Sequence, residues 1–333
     1  MADLISGLAE RLKGSGVRVL FVECDDERVL RAARRLADED VCRPALLGDP
    51  ARIAADLERL GISAEGIELI DHEDAEARAS LSERYRAVNP VFSEKRLAKK
   101  MNSPLQHAAM MLKVGDVDCL AAGVVLSTGE VIVAAQQFVG LAEGVETVSS
   151  MGYAEVVLPG ADESRWIGMS DCGVVTDPDI AQLTDIACCS AKSCEAVFGE
   201  ESRVAFVSYS TCGSSDGPSV DRERAALAAV RERMPQLKVD GEFQLEVALV
   251  PASAARKLHG RASEVAGRAN VLVFPNLDAG NVAVKCIQVF GGFKVCGPVL
   301  QGFARPVTDF SRSATVDEVF GNVVLCLAQN GMA

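Results

Sequence analysis

At 333 residues, with 49% hydrophobic and 24% charged side chains, the chain is long enough for two globular domains and ordinary in composition for them. A net charge of −13 and the lack of any basic run argue against nucleic acid or an anionic membrane as partner. No apolar stretch reaches the length needed to span a bilayer. The start, Met1-Ala2-Asp3-Leu4-Ile5-Ser6, has no cationic-then-apolar leader, so a cytoplasmic, reducing setting is expected.

The elements follow in order. Residues 3–13 read as a short amphipathic helix and Val17 to Val22 as a buried strand. Asp25 and Asp26 then precede a helical pattern through Ala37, an acid being well suited to that end. Arg43 to Gly48 is the next strand, followed by a helix near 50–60 and a short strand at Ile67 to Ile70. Glu73 to Lys113 is helix-rich and carries Arg84, Arg86, Lys95, Arg96, Lys99 and Lys100. Val114 to Val124 reads as helix end, Gly-Asp turn, strand and a small-residue exit that lets a ligand approach the backbone. Alternation of short apolar runs with helices predicts an α/β fold with mainly parallel sheets.

A second unit begins near residue 145. Ala154 to Leu158 is a strand, Ser170 to Val175 another strand exit, and Pro178 to Phe198 a long helix. Cys188, Cys189 and Cys194 fall in that helix with no His nearby. The odd total of 11 cysteines and the absence of Cys-x-x-Cys argue against disulfides or zinc, so these thiols read as buried small hydrophobes. Val204 to Val207 is a strand opening into Ser208-Tyr209-Ser210-Thr211-Cys212-Gly213, a loop rich in donors for an anion. A charged helix spans 220–233, and Asp240-Gly241 is a turn signal with Glu242 and Gln244 on one face if the stretch is extended. Ala269 to Phe274 is a strong β-run ending in Asn276, Asp278, Gly280 and Asn281, with a helix from about Val282 to Phe290.

A last strand, Val295 to Leu300, leads into Gly302 to Arg312, read as a loop broken by Pro306, and a helix follows from Val316 to Leu327. Two arginines, an acid and two hydroxyls just ahead of a helix start are suited to an anion: the guanidinium fork, the hydroxyl and the free N–H groups all donate. An ordinary surface arginine at a helix start is the plain alternative for Arg312.

Taken together the motifs resemble the phosphate acetyltransferases of the phosphate acyltransferase family. They are Ser208-Tyr209-Ser210-Thr211-x-Gly213-Ser214, Asp240-Gly241-Glu242-x-Gln244, Phe274-Pro275-Asn276-Leu277-Asp278-Ala279-Gly280-Asn281, Gly297-Pro298-Val299-x-Gln301-Gly302, and Pro306-Val307-x-Asp309-x-Ser311-Arg312. Met110-Met111-x-Lys113-x-Gly115-Asp116-x-Asp118 also fits, and the likeness covers nearly the whole chain. The resemblance implies two three-layer α/β domains of isocitrate-dehydrogenase type, 1–145 with 303–333 and 146–302, with the site in the cleft between them. It implies a homodimer with coenzyme A, acyl phosphate and phosphate as substrates, and neither a cofactor nor a metal. Short acyl groups, acetyl first, would pass between coenzyme A and phosphate by direct thiolate attack.

Carried over by position, Ser311 and Arg312 are the phosphate-binding pair and Glu318, with Asp317 beside it, stands where the family has an aspartate base. Ser210, Thr211, Gly213, Asn276, Asp278, Asn281, Gln301 and Arg86 (or Arg84) are implied substrate-binding positions. The family's Asp-Thr-Leu-Arg-Pro is replaced by Thr128-Gly129-Glu130-Val131-Ile132-Val133-Ala134, with Ile132 about where a substrate-binding arginine is expected. Arg84, Arg86, Lys100 or Arg305 are the cations available to compensate. Two functions follow: an active acyltransferase, or a member that kept the fold as a binding or assembly protein for acyl-CoA or acyl phosphate. A dehydrogenase using Asp278 and Asp309 for a metal is disfavoured by the absence of a Gly-x-Gly-x-x-Gly fingerprint.

Overall fold

In the computed structural model, which describes residues 4–333, the first apolar runs become buried parallel strands. The elements are α1 (Leu4–Leu12), β1 (Arg18–Phe21), α2 (Glu27–Asp38), β2 (Arg43–Gly48), α3 (Pro50–Arg59), β3 (Glu68–Asp71), α4 (Ala75–Val88), α5 (Glu94–Lys100), α6 (Pro104–Val114), β4 (Cys119–Ala122) and α7 (Thr128–Phe138). Next come β5 (Ser149–Val157), β6 (Ser164–Ser170), α8 (Ile180–Phe198), β7 (Arg203–Val207), α9 (Pro218–Arg233), β8 (Lys238–Phe243), α10 (Leu245–Leu249), α11 (Pro251–Lys257), β9 (Val271–Val273), α12 (Leu277–Val289) and β10 (Val295–Gln301). The chain ends with β11 (Val307–Asp309) and α13 (Val316–Gln329). It divides into two units, one running to Glu143 and resuming at Phe303, the other spanning Gly144–Gly302.

The first unit holds a five-stranded parallel sheet ordered β11-β4-β1-β2-β3. Val19, Leu20 and Phe21, Ala45 to Leu47, and Cys119 to Ala122 are all buried, as continuous apolar runs in covered parallel strands should be. Helix ends follow local chemistry. Asp26 caps α2, Asp49 with Pro50 starts α3, and Gly115 at φ 85° closes α6. Ser127 with Glu130 and Thr315 with Glu318 form capping boxes on α7 and α13. The side chains from Val323 to Ala328 are buried, and α13 packs on α1 and α2.

The second unit holds a six-stranded sheet ordered β10-β5-β6-β9-β7-β8. β6, β9, β7 and β8 are parallel, while β5 pairs antiparallel with both β6 and β10 and so runs against the rest. Both units therefore have the expected α/β character with mainly parallel strands.

Three local readings change. Val307–Asp309, read as part of a loop, is an edge strand paired with β4; three residues behind a proline are too few to show a period. α12 starts at Leu277, not near Val282, because Asn276 accepts from Ala279 N at 2.9 Å and caps it. The strand near Ala154 starts at Ser149 and has an antiparallel partner, β6, that the pattern did not signal.

Candidate active site

In the first unit, β2 and β3 lie to one side of β1, and β4 and β11 to the other. Strand order therefore reverses between β1 and β4, and loops leaving the carboxyl ends at such a point diverge to leave a crevice. Three loops meet the requirements of a site there: Val22–Asp26 after β1, Gly123–Ser127 after β4, and Phe310–Thr315 after β11. A cavity of about 400 Å³ opens beside the first two, lined by Glu23, Asp25, Ser103, Leu105, Val125 and Leu126 among others.

Glu23 organises the β4 exit. Its Oε2 accepts from Gly123 N at 2.6 Å and Val124 N at 3.0 Å, and its Oε1 from Val125 N and Leu126 N, both at 2.7 Å. Successive N–H groups converging on one point form an anion nest, here filled by the chain's own carboxylate. Gly123 has φ +112°, and a Cβ on it would lie 2.2 Å from Asp309 Oδ1 and 2.6 Å from Phe310 N, so glycine is required there. Asp309 Oδ2 accepts from Thr128 Oγ1 at 2.5 Å. Burial pushes the Asp309 carboxyl up to about 6, against the opposing pull of the Thr128 bond.

The β11 exit carries Ser311 and Arg312. Ser311 Oγ lies 2.9 Å from Ser313 Oγ, and both residues are exposed. Arg312 is exposed too, and among the described residues no carboxylate pairs with its guanidinium. The cations expected to compensate are placed differently: Arg84 and Arg305, near Asp116 and Gly115, sit at the amino end of β4, away from the loop of Arg312. Arg84 is held by Asp116 at 2.5 Å and Arg86 lies 3.8 Å from Glu94. Of the two acids at the start of α13, Asp317 pairs with Arg35 at 2.8 Å. Glu318 Oε2 accepts from Thr315 N at 2.7 Å and Thr315 Oγ1 at 3.1 Å, so the carboxylate picked as base also closes the capping box.

The stretch where an arginine is expected, about Ile132, lies on α7. In the capping box the acid is Glu130. With the motif's aspartate set on Glu130, its arginine falls on Val133, one residue beyond Ile132. Val133 is 63% exposed, whereas Ile132 is half-buried.

The second unit places its candidates at strand ends as well, but engages most of them internally. Ser210 Oγ and Gly213 N donate to Glu242 Oε1 at 2.7 and 2.9 Å, and Arg224 Nε reaches Glu242 Oε2 at 3.0 Å. Burial alone would raise the Glu242 carboxyl; Arg224, Gly213 and Ser210 outweigh it and hold the group at about 2. Thr211 N donates to Ser214 Oγ at 2.9 Å, and its hydroxyl accepts from Gln244 N at 3.0 Å. The loop read as a source of free donors is thus stitched to the Glu242 segment.

Asp171 repeats the Glu23 device after β6, accepting from Gly173 N, Val174 N and Val175 N at 2.9, 3.3 and 2.7 Å. Asn276 is occupied as a cap, Asn281 Nδ2 donates to Cys172 O at 3.1 Å, and Asp278 is an exposed first-turn acid. Gln301 is 5% exposed; its amide accepts from Ser193 and faces Ser149, Ser190 and Ser170 within 3.2 Å, a packing role in this structure. A larger hollow, about 750 Å³, lies at the starts of α8 and α9, but Asp177, Asp179 and Asp221 make it unsuited to a polyanion.

The family profile described as "Phosphate acetyl/butaryl transferase" matches residues 3–327. The chain belongs to this family. A phosphate acetyltransferase of Paracoccus denitrificans is 36% identical over 96% of this chain and 97% of its own length. The EutD phosphotransacetylase of Staphylococcus aureus is 32% identical with a TM-score of 0.88, covering 99% of this chain and 98% of that one. A phosphotransacetylase of Streptococcus pyogenes is 30% identical with a TM-score of 0.90 over 99% of each chain. Sequence reading missed the bonds that tie Glu23 to residues 123–126, Arg28 to Val124, Arg312 and Ala314, and Thr128 to Asp309, because these partners lie far along the chain. Asp26 reads from the sequence only as a helix cap.

Proposed function

We propose that this chain moves a short acyl group, acetyl first, between coenzyme A and phosphate. Family membership gives the reaction class, and the observation that carries it to a site is the unpaired, exposed guanidinium of Arg312 beside Ser311 at the carboxyl edge of a parallel sheet. In the direction of thioester synthesis, the thiolate attacks the acyl carbonyl, a C–S bond forms and the C–O bond to phosphate breaks. Arg312 and Ser311 receive the charge that collects on the departing phosphate. A free thiol ionises near pH 8.5, so a base is useful; Glu318 fills that role after releasing Thr315. A homodimer is part of this reading.

A second reading is a protein that binds acyl-CoA or acyl phosphate without turning it over, favoured by exposed Val133 where a cation is expected. Mixing the protein with coenzyme A and acetyl, propionyl or butyryl phosphate and following thioester absorbance separates the two. Thioester formation with one of them supports the enzyme, and Arg312→Ala then loses most of the rate while coenzyme A still binds. Folded protein that binds coenzyme A and forms no thioester sinks the enzyme reading.

A further inference from the structure

Arg28, in the first turn of α2, uses every donor it has. Its Nε donates to Asp26 Oδ1 at 2.9 Å and one Nη2 hydrogen to Asp26 Oδ2 at 2.8 Å. The other Nη2 hydrogen goes to Val124 O at 3.0 Å, and the two on Nη1 go to Arg312 O at 2.8 Å and Ala314 O at 3.0 Å. A guanidinium carries five N–H groups, and here five acceptors surround it, so none remains for a substrate. The carbonyls belong to the β4 exit and to the loop bearing Ser311 and Arg312. Asp26 in turn is fixed by the N–H of Arg28 at 2.9 Å as the α2 cap. The fork is thus anchored on α2 and bridges the two loops.

We propose that Arg28 is a positioning residue, which sets the backbone of Arg312 so that the Arg312 guanidinium and Ser311 converge on phosphate. This rests on the acyl-transfer reading of Arg312. Lysine cannot replace it, because an ammonium is a compact point donor with three N–H groups and cannot hold three carbonyls and a bidentate carboxylate at once.

The test is calorimetric binding of inorganic phosphate, and separately of coenzyme A, to the full-length protein and to Arg28→Lys, Arg312→Ala and the double variant, with unfolding midpoints recorded for each. Phosphate affinity is expected to fall about tenfold or more in both single variants, with coenzyme A affinity unchanged. The double variant is expected to fall no more than about twofold below Arg312→Ala, since Arg28 acts through the same loop. Wild-type phosphate binding by Arg28→Lys beside a weakened Arg312→Ala overturns the positioning role alone. So does an additive double variant, or a parallel loss of phosphate, coenzyme A and stability. Wild-type protein that binds no phosphate, or Arg312→Ala that binds it normally, overturns the acyl-transfer site and this role with it.

Discussion

Thr128 donates through Oγ1 to Asp309 Oδ2 at 2.5 Å, joining the first residue of α7 to the last of β11, while Asp309 Oδ1 is buried without a hydrogen-bond partner among the described residues. The Asp309 carboxyl sits at about 6, first because burial penalises its charge. Its unfolded value is near 3.9, so the folded state binds the proton more tightly and stability falls as pH rises from about 4 to about 6. Above that the ionised acid is a constant penalty of about 2–3 kcal/mol. Asp309→Asn keeps an acceptor for Thr128 and removes the charge. Its urea midpoint is expected to exceed wild type at pH 8 and to converge with it near pH 4. Parallel midpoint curves for the two proteins across that range would refute the assignment.

Glu318 has two candidate duties, and one substitution separates them. Glutamine serves in a capping box as glutamate does but cannot take a proton. If the carboxylate is the base, Glu318→Gln loses about 10²–10⁴ in kcat with an unfolding midpoint near wild type. Should it only cap α13, the rate survives Glu318→Gln, and Glu318→Ala costs about 1 kcal/mol of stability. Steady-state kinetics alongside urea unfolding decide the case.

The fold was legible because its signals are local. Val17 to Val22 and Arg43 to Gly48 are apolar runs that only a covered sheet can bury, and Asp26 and Asp49 mark helix starts by side-chain chemistry. The edge strand Val307–Asp309 was not legible, since its existence depends on β4, far back in the chain. The site divides the same way. Ser311 and Arg312 announce themselves by residue type, but Glu23 reaches Gly123 to Leu126 and Arg28 reaches Arg312, pairings that no spacing encodes. Gln301 stood in a matched motif, yet its serine partners on β5, β6 and α8 are what its amide serves here.

Glu23 makes a stability prediction. Replacing it by glutamine leaves one oxygen for two of the four N–H groups and turns an NH₂ toward the other two. The unmet donors and the lost charge-assisted bonds are expected to cost about 2–4 kcal/mol. The loss is local, so amide hydrogen exchange at Val125 and Leu126 should quicken first, with residues of β2 little changed. Protection at 123–126 equal to wild type would show that the nest holds without its carboxylate.

Val133 offers the most direct test of whether an absent cation limits the chain. It is 63% exposed on α7, so Val133→Arg inserts a long side chain without disturbing the core, and arginine is the better helix former. Ile132→Arg is the control: that position is half-buried, and a charge there is expected to cost stability. A new bidentate contact to a phosphate of the substrate is worth about 1.5–3 kcal/mol, which is roughly ten- to a hundredfold in kcat/KM. Val133→Arg is therefore expected to raise kcat/KM for coenzyme A by at least about tenfold with an unchanged unfolding midpoint. A stable Val133→Arg protein with wild-type kcat/KM would mean that no absent cation at this position limits the chain. Lys100→Ala, at the end of α5, would then test by its own loss of kcat/KM for coenzyme A whether that residue makes the contact.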